Sequence, residues 1–213
     1  MKYKLIRSRR RTLCLEIRNA SLVVRAPYLY PENRITEFIK IKEAWIKKHL
    51  DKTKRSFKKR SDQVLISGKL YNIDVNVSDR ESFVALGDKV IIKSKDEEAA
   101  KELIKKYLLN LTKEKIFFYK NKYADIFNLK NKKTVFKFYK SRWGSCSAKN
   151  VLSFNAALSM APDEVVEYVF IHEVVHIKEK NHKRRFWQKV EQYDPEYKSH
   201  RKWLSQNRDM LRI

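Results

Sequence analysis

The chain has 213 residues, room for one domain or two small ones, and carries 49 Lys and Arg against 25 Asp and Glu, a formal charge of +24. With 43% hydrophobic and 12% aromatic residues it is a folding sequence rather than a disordered polycation. Three scattered glycines exclude G-x-G-x-x-G and P-loop nucleotide motifs, and two distant cysteines, Cys14 and Cys146, exclude a disulfide framework or a cysteine zinc ribbon.

Residues 1–12 are basic, but Glu16 and Arg18 break the apolar run that a signal segment needs. No apolar stretch approaches the ~20 residues of a membrane helix. A soluble cytoplasmic protein with no membrane partner is therefore expected. Residues 12–18 alternate with Leu13, Leu15 and Ile17 on one face, and residues 22–26 read as the returning strand, stopped by Pro27. Pro31 opens a helical pattern to about Lys54 through Ile35, Phe38, Ile39, Ile46 and Leu50. Residues 52–60 are a basic run, either a solvated helix end or a phosphate-binding patch. Short strands are expected at 63–66, 70–77, 83–86 and 90–93, with Gly68 and Gly87-Asp88 at hairpin turns. Asp96-Glu97-Glu98 signals the start of a long helix to about Asp125. Residues 134–140 and 152–156 alternate like strands. Pro162-Asp163 opens a further helix, and helical stretches follow at 183–193 and 196–207. The expected fold is α+β: a β-rich domain with one helix over 1–95, and a second domain over 96–213.

The chemistry lies in Ile171–His182, IHEVVHIKEKNH. His172 and His176 stand i and i+4, so on a helix they share one face and can meet one zinc ion. Glu173 is rotated off that face, poorly placed to bind the ion but able to serve as general base toward a zinc-activated water. His182 supplies a third ligand after the chain leaves the helix, with Asn181 suited to a left-handed turn. Helical steps from Val165, Val166, Val169 and Phe170 land on His172, Glu173 and His176, so these polar groups fall where burial is expected and need a partner or a metal. The ligand spacing equals that of the metzincins, with Glu179 where those have glycine. A downstream carboxylate, Glu191 or Glu196, is the alternative third ligand. Arg142, in the segment Ser141–Ser147, offers an anion fork to substrate, or else pairs with a carboxylate in a structural turn at Gly144. Phe186 and Trp187 read as core.

The segments SRWGSCS (141–147), LSFNAAL (152–158) with Pro162, YVFIHEVVH (168–176), Asn181-His182, Phe186-Trp187 and Pro195-Glu196-Tyr197 resemble the YgjP-like metallopeptidase family, related to SprT-like proteases. The resemblance implies a zincin-like C-terminal domain, with His172, His176 and His182 as zinc ligands, Glu173 as catalytic acid/base, and a peptide or protein substrate.

Two other readings stay open. Lys140, Arg142, Lys183, Arg184 and Arg185 flank the motif, so a zinc-dependent phosphohydrolase acting on nucleotides is one. A nucleic-acid-associated SprT-like protease or binding protein is the other, through the basic surface. The charge marks no tail, because residues 1–95 carry 24 cations and 10 anions and residues 96–213 carry 25 and 15.

Overall fold

The computed structural model describes residues 3–18, 21–47 and 62–213. The basic run at 52–60, His49 and the end of the first expected helix lie outside the described residues. The chain divides into two compact units, residues 1–58 and 59–213.

In the first unit, β1 (Tyr3–Ser8), β2 (Cys14–Arg18) and β3 (Ser21–Pro27) form a sheet in the order β1-β3-β2. The β2–β3 pair is the expected antiparallel hairpin, and β1 joins it in parallel, with Ser8 opposite Pro27. Strand β1 was not expected. Its sequence YKLIRS shows no clean alternation, and only its pairing with β3 makes it a strand. Helix α1 (Glu32–Ile41) follows Pro31, and residues 43–47 are helical again after a turn at Lys42. Leu22, Val24 and Ala26 pack with Ile35, Ile39 and Ile46 in a small apolar core.

The second unit opens with β4 (Gln63–Ile66), β5 (Lys69–Val77), β6 (Ser82–Leu86) and β7 (Lys89–Ser94), in the order β4-β5-β7-β6. Ser67 and Gly68 both have positive φ, the geometry of a tight hairpin turn. Helix α2 (Glu97–Lys122) starts where the acidic triplet said it would, with the Asp96 carboxylate accepting from the Ala99 amide at 2.7 Å. After α3 (Ala124–Phe127), the strands β8 (Thr134–Lys137), β9 (Gly144–Cys146) and β10 (Leu152–Asn155) form a third sheet, ordered β8-β10-β9. A 3-10 turn over Ala156–Met160 leads into α4 (Asp163–Val175), α5 (Arg184–Tyr193) and α6 (Tyr197–Asn207). The fold is α+β, as expected.

The expected domain boundary near residue 95 falls inside this unit. Val64, Leu65, Ile66, Val90 and Ile92 belong to the same apolar cluster as α2 and α4. The Ser67 and Gly68 amides donate to the Ser159 and Met160 carbonyls at 2.8 and 2.9 Å, tying the β4–β5 turn to the 3-10 helix. Helix α4 is apolar nearly all round and lies at the centre, with Phe170 beneath the rings of Tyr119, Tyr123 and Phe154. Buried polar groups stitch α2 to the 3-10 helix. Thr112 donates to the Ala156 carbonyl and accepts from the Ser159 amide, and the Ser159 hydroxyl donates to the Leu108 carbonyl. Among the described residues, no helix is long and apolar enough to cross a membrane.

Candidate metal centre

Helix α4 ends at Val175, with His176 as its C-cap. His172 and His176 therefore stand one turn apart on the last turn of a buried helix. The chain then turns off through bonds from the Ile177, Lys178 and Glu179 amides back to Val174 and Val175. Six residues after His176 it delivers His182. Asn181 is not among the residues of positive φ, so the return needs no left-handed residue at that position.

The Nε2 atom of His182 lies 3.1 Å from the Nε2 of His172 and 3.1 Å from that of His176. One nitrogen from each ring lies within 4.8 Å of the others, the one such three-residue group among the described residues. Two nitrogens held at ~2.0–2.1 Å by one tetrahedral ion would stand about 3.3 Å apart. The spacing and the all-nitrogen donor set therefore fit a metal ion. Burial pulls the His172 imidazole down to about 3, with the neighbouring His176, His182 and Arg201 charges adding to the effect. Burial also lowers His176, opposed by its hydrogen bond to Glu179. Both rings are thus held neutral, the state a metal ligand needs. His176 Nδ1 lies 2.9 Å from the Glu179 carbonyl, which fixes the tautomer and leaves Nε2 free to converge. The Nδ1 of His172 is buried without a hydrogen-bond partner.

Phe186, fully buried on α5, forms the floor, its ring 4.5–4.9 Å from all three imidazoles. Trp187 donates its indole N–H to the His182 carbonyl at 3.1 Å and stacks on Tyr197. Phe186 is a core residue, as expected, whereas Trp187 is half-buried and packs against that core, and both also hold the imidazoles. Neither Glu191 nor Glu196 joins the cluster: Glu191 faces Lys198 and Glu196 precedes α6.

Glu173 is 5% exposed and lies against β9. Burial pushes its carboxyl up to about 8, with the Arg142 charge pulling the other way. Arg142 is exposed, its guanidinium 4.2 Å over the Tyr139 ring, and among the described residues it has no carboxylate partner. Of the two readings of Arg142, the carboxylate pairing in a structural turn is not seen among the described residues. Gly144 is likewise no sharp turn but a strand residue without positive φ. A Cβ there would stand 2.6 Å from Glu173 Cγ and 2.7 Å from its Oε1, so the glycine makes room for the carboxylate. Cys146 stays outside the imidazole cluster, and burial raises its thiol.

Asn155 was not singled out on chemical grounds. It is buried at the end of β10 and donates to the Tyr139 and Arg142 carbonyls at 2.8 and 2.9 Å, while its Oδ1 accepts from the Ala157 amide. A polar residue inside the apolar run LSFNAALSM was the available signal.

No curated protein and no solved structure matches the chain. The model of the family described as YgjP-like, metallopeptidase domain, matches residues 11–207, which takes in most of the first unit as well as the histidine cluster. A metal ion is what that family implies, and three converging imidazoles beside a buried glutamate are consistent with it; by the match over residues 11–207 the chain belongs to the YgjP-like metallopeptidase family.

Proposed function

We propose that the chain is a zinc-dependent peptidase whose second unit is a zincin-like domain, with His172, His176 and His182 as ligands and Glu173 as general base. One observation carries the reading: three converging imidazole nitrogens, with a buried carboxylate on the next residue of the same helix turn. Zinc, when bound, supplies Lewis acidity that lowers the pKa of water toward ~7 and polarises a carbonyl. A dication beside Glu173 favours its ionised form over the neutral form that burial favours. The Glu173 carboxylate takes the proton of the attacking water and hands it to the leaving amine. Arg142, exposed and without a carboxylate ion pair among the described residues, offers its guanidinium to the substrate. Phe186 and Trp187 keep water off the back of the imidazoles. The free cysteines Cys14 and Cys146 suit a reducing, cytoplasmic setting.

The test is a pair of variants assayed on casein with metal analysis. Glu173→Gln is expected to keep one metal per chain and lose about a hundredfold to ten-thousandfold in rate, what one positioned general base typically supplies. His176→Ala is expected to lose the metal. Unchanged turnover in the first, or full metal content in the second, defeats the assignment. The exposed cations Lys180, Lys183, Arg184 and Arg185 beside His182 favour one second reading, a phosphohydrolase. Phosphate release from nucleoside triphosphates that depends on Glu173, without casein cleavage, would replace the peptidase reading with that one.

A further inference from the structure

The unit boundary redistributes the charge. Residues 1–58 carry 17 cations and 5 anions, net +12, and residues 59–213 carry 32 and 20, also net +12. Half of the excess thus sits on about a quarter of the chain. Within the described part of the first unit, each carboxylate has a cation: Glu16 pairs with Arg25, Glu32 with Arg7, Glu37 with Arg34 and Glu43 with Lys47. The loop from β1 to β2 is different. Its Arg9, Arg10 and Arg11 are consecutive, and none has a carboxylate partner among the described residues. Arg9 and Arg11 are exposed, and the Nε of Arg10 is buried without an acceptor.

The parallel register of β1 and β3 places this loop beside a second one. Ser8 pairs with Pro27, so residues 9–11 and 28–30 leave the sheet at the same end. Arg7 fixes the second loop, donating to the Tyr28 and Tyr30 carbonyls at 2.8 Å and to the Pro27 carbonyl at 3.3 Å. Tyr28 and Leu29 are 59% and 95% exposed on it. Three guanidinium groups without a carboxylate partner among the described residues thus adjoin an exposed ring and an exposed aliphatic side chain, on a loop whose backbone is tied down.

We propose that this end of the first unit binds single-stranded nucleic acid, with Arg9, Arg10 and Arg11 on backbone phosphates and Tyr28 stacked on a base. Arginine forks match phosphate oxygens, and an aromatic face takes any unpaired base. A duplex keeps its bases stacked inside and leaves the ring without a partner. An anionic membrane would meet the same charges, but two apolar side chains bury less than the single acyl chain that gives only marginal attachment.

The experiment is fluorescence anisotropy of a labelled 20-nucleotide oligothymidylate with the full chain across a salt series. Arg9→Gln/Arg11→Gln removes only exposed, unpaired groups. It is expected to weaken binding at least about tenfold at low salt and to cut the log–log salt slope by about 1.4, at ~0.7 per phosphate contact. Tyr28→Ala is expected to weaken binding at least about fivefold with the slope unchanged. A control, Lys149→Gln/Lys202→Gln, removes two exposed cations of the second unit and is expected to leave binding as it was. Equal loss in the control shows a diffuse charge effect and overturns the proposal. So does full binding by the arginine variant. Binding to phosphatidylserine vesicles that the arginine variant abolishes, without oligonucleotide binding, reassigns the surface to membranes and overturns it as well.

Discussion

At the level of single residues, the imidazole cluster and the strand beside it depend on different kinds of evidence. His172, Glu173, His176 and His182 were legible as types at a spacing, because helix periodicity turns i and i+4 into one face. Gly144 was legible only as one of three glycines in the chain, and its purpose was misread as a turn. Nothing in a sequence says that a carboxylate will lie against a strand; the packing of α4 under β9 decides that. Gly144→Ala puts a methyl group where Glu173 Cγ, Cδ and Oε1 now lie, at 2.6–2.8 Å. The carboxylate is the softer partner, since the β9 backbone is held in register to β10. Forced overpacking costs about 1–3 kcal/mol, and here it acts on Glu173, the residue proposed as general base. The variant is expected to keep its metal and lose peptidase activity by about tenfold to a hundredfold. Activity at the level of the parent chain would show that Glu173 tolerates displacement and is not positioned by the glycine.

Among the elements, the helices at 163, 184 and 197 and the strands from 63 to 94 were readable because alternation and turn residues are local signals. The domain boundary was not. Whether β4–β7 close on themselves or share a core with α2 and α4 depends on which apolar faces meet, and Val64, Ile66, Val90 and Ile92 meet the later helices. The loop from β8 to β9 raises the same issue at shorter range. It is held from below by Asn155, whose amide group bonds two of its carbonyls. Asn155→Asp keeps the acceptor for the Ala157 amide but turns a carboxylate oxygen toward the Tyr139 and Arg142 carbonyls. Losing two buried donor bonds costs about 1–3 kcal/mol locally, and the loop should shift with the guanidinium it carries. Expected are a ten- to hundredfold loss of kcat, unchanged metal content, and a loss well short of additive when combined with Arg142→Ala, since both act on one loop. Fully additive losses would mean that Asn155 does not work through Arg142.

For the whole molecule, the two apolar cores set how far the effect of metal binding should reach. The histidine cluster sits at the end of α4, inside the core of residues 59–213, whereas β1–β3 and α1 have a core of their own. A ligand bound only by the folded state stabilises it by RT ln(1 + [L]/Kd), about 2.7 kcal/mol at a hundredfold excess over Kd. In a unit of this size that corresponds to a rise in melting temperature of roughly 5–10 °C, at ~2–4 °C per kcal/mol. The gain should be local. Hydrogen exchange with and without zinc is expected to show increased protection in peptides from α4, α5 and the 3-10 helix, and none in peptides from β1 and β3. His182→Ala should abolish both the melting shift and the added protection, because two imidazoles on α4 cannot complete the set of three donors. A melting shift that survives in His182→Ala would place the zinc elsewhere. Added protection in β1 and β3 would show that metal binding is coupled into the basic unit, and the two cores would then have to be treated as one thermodynamic system.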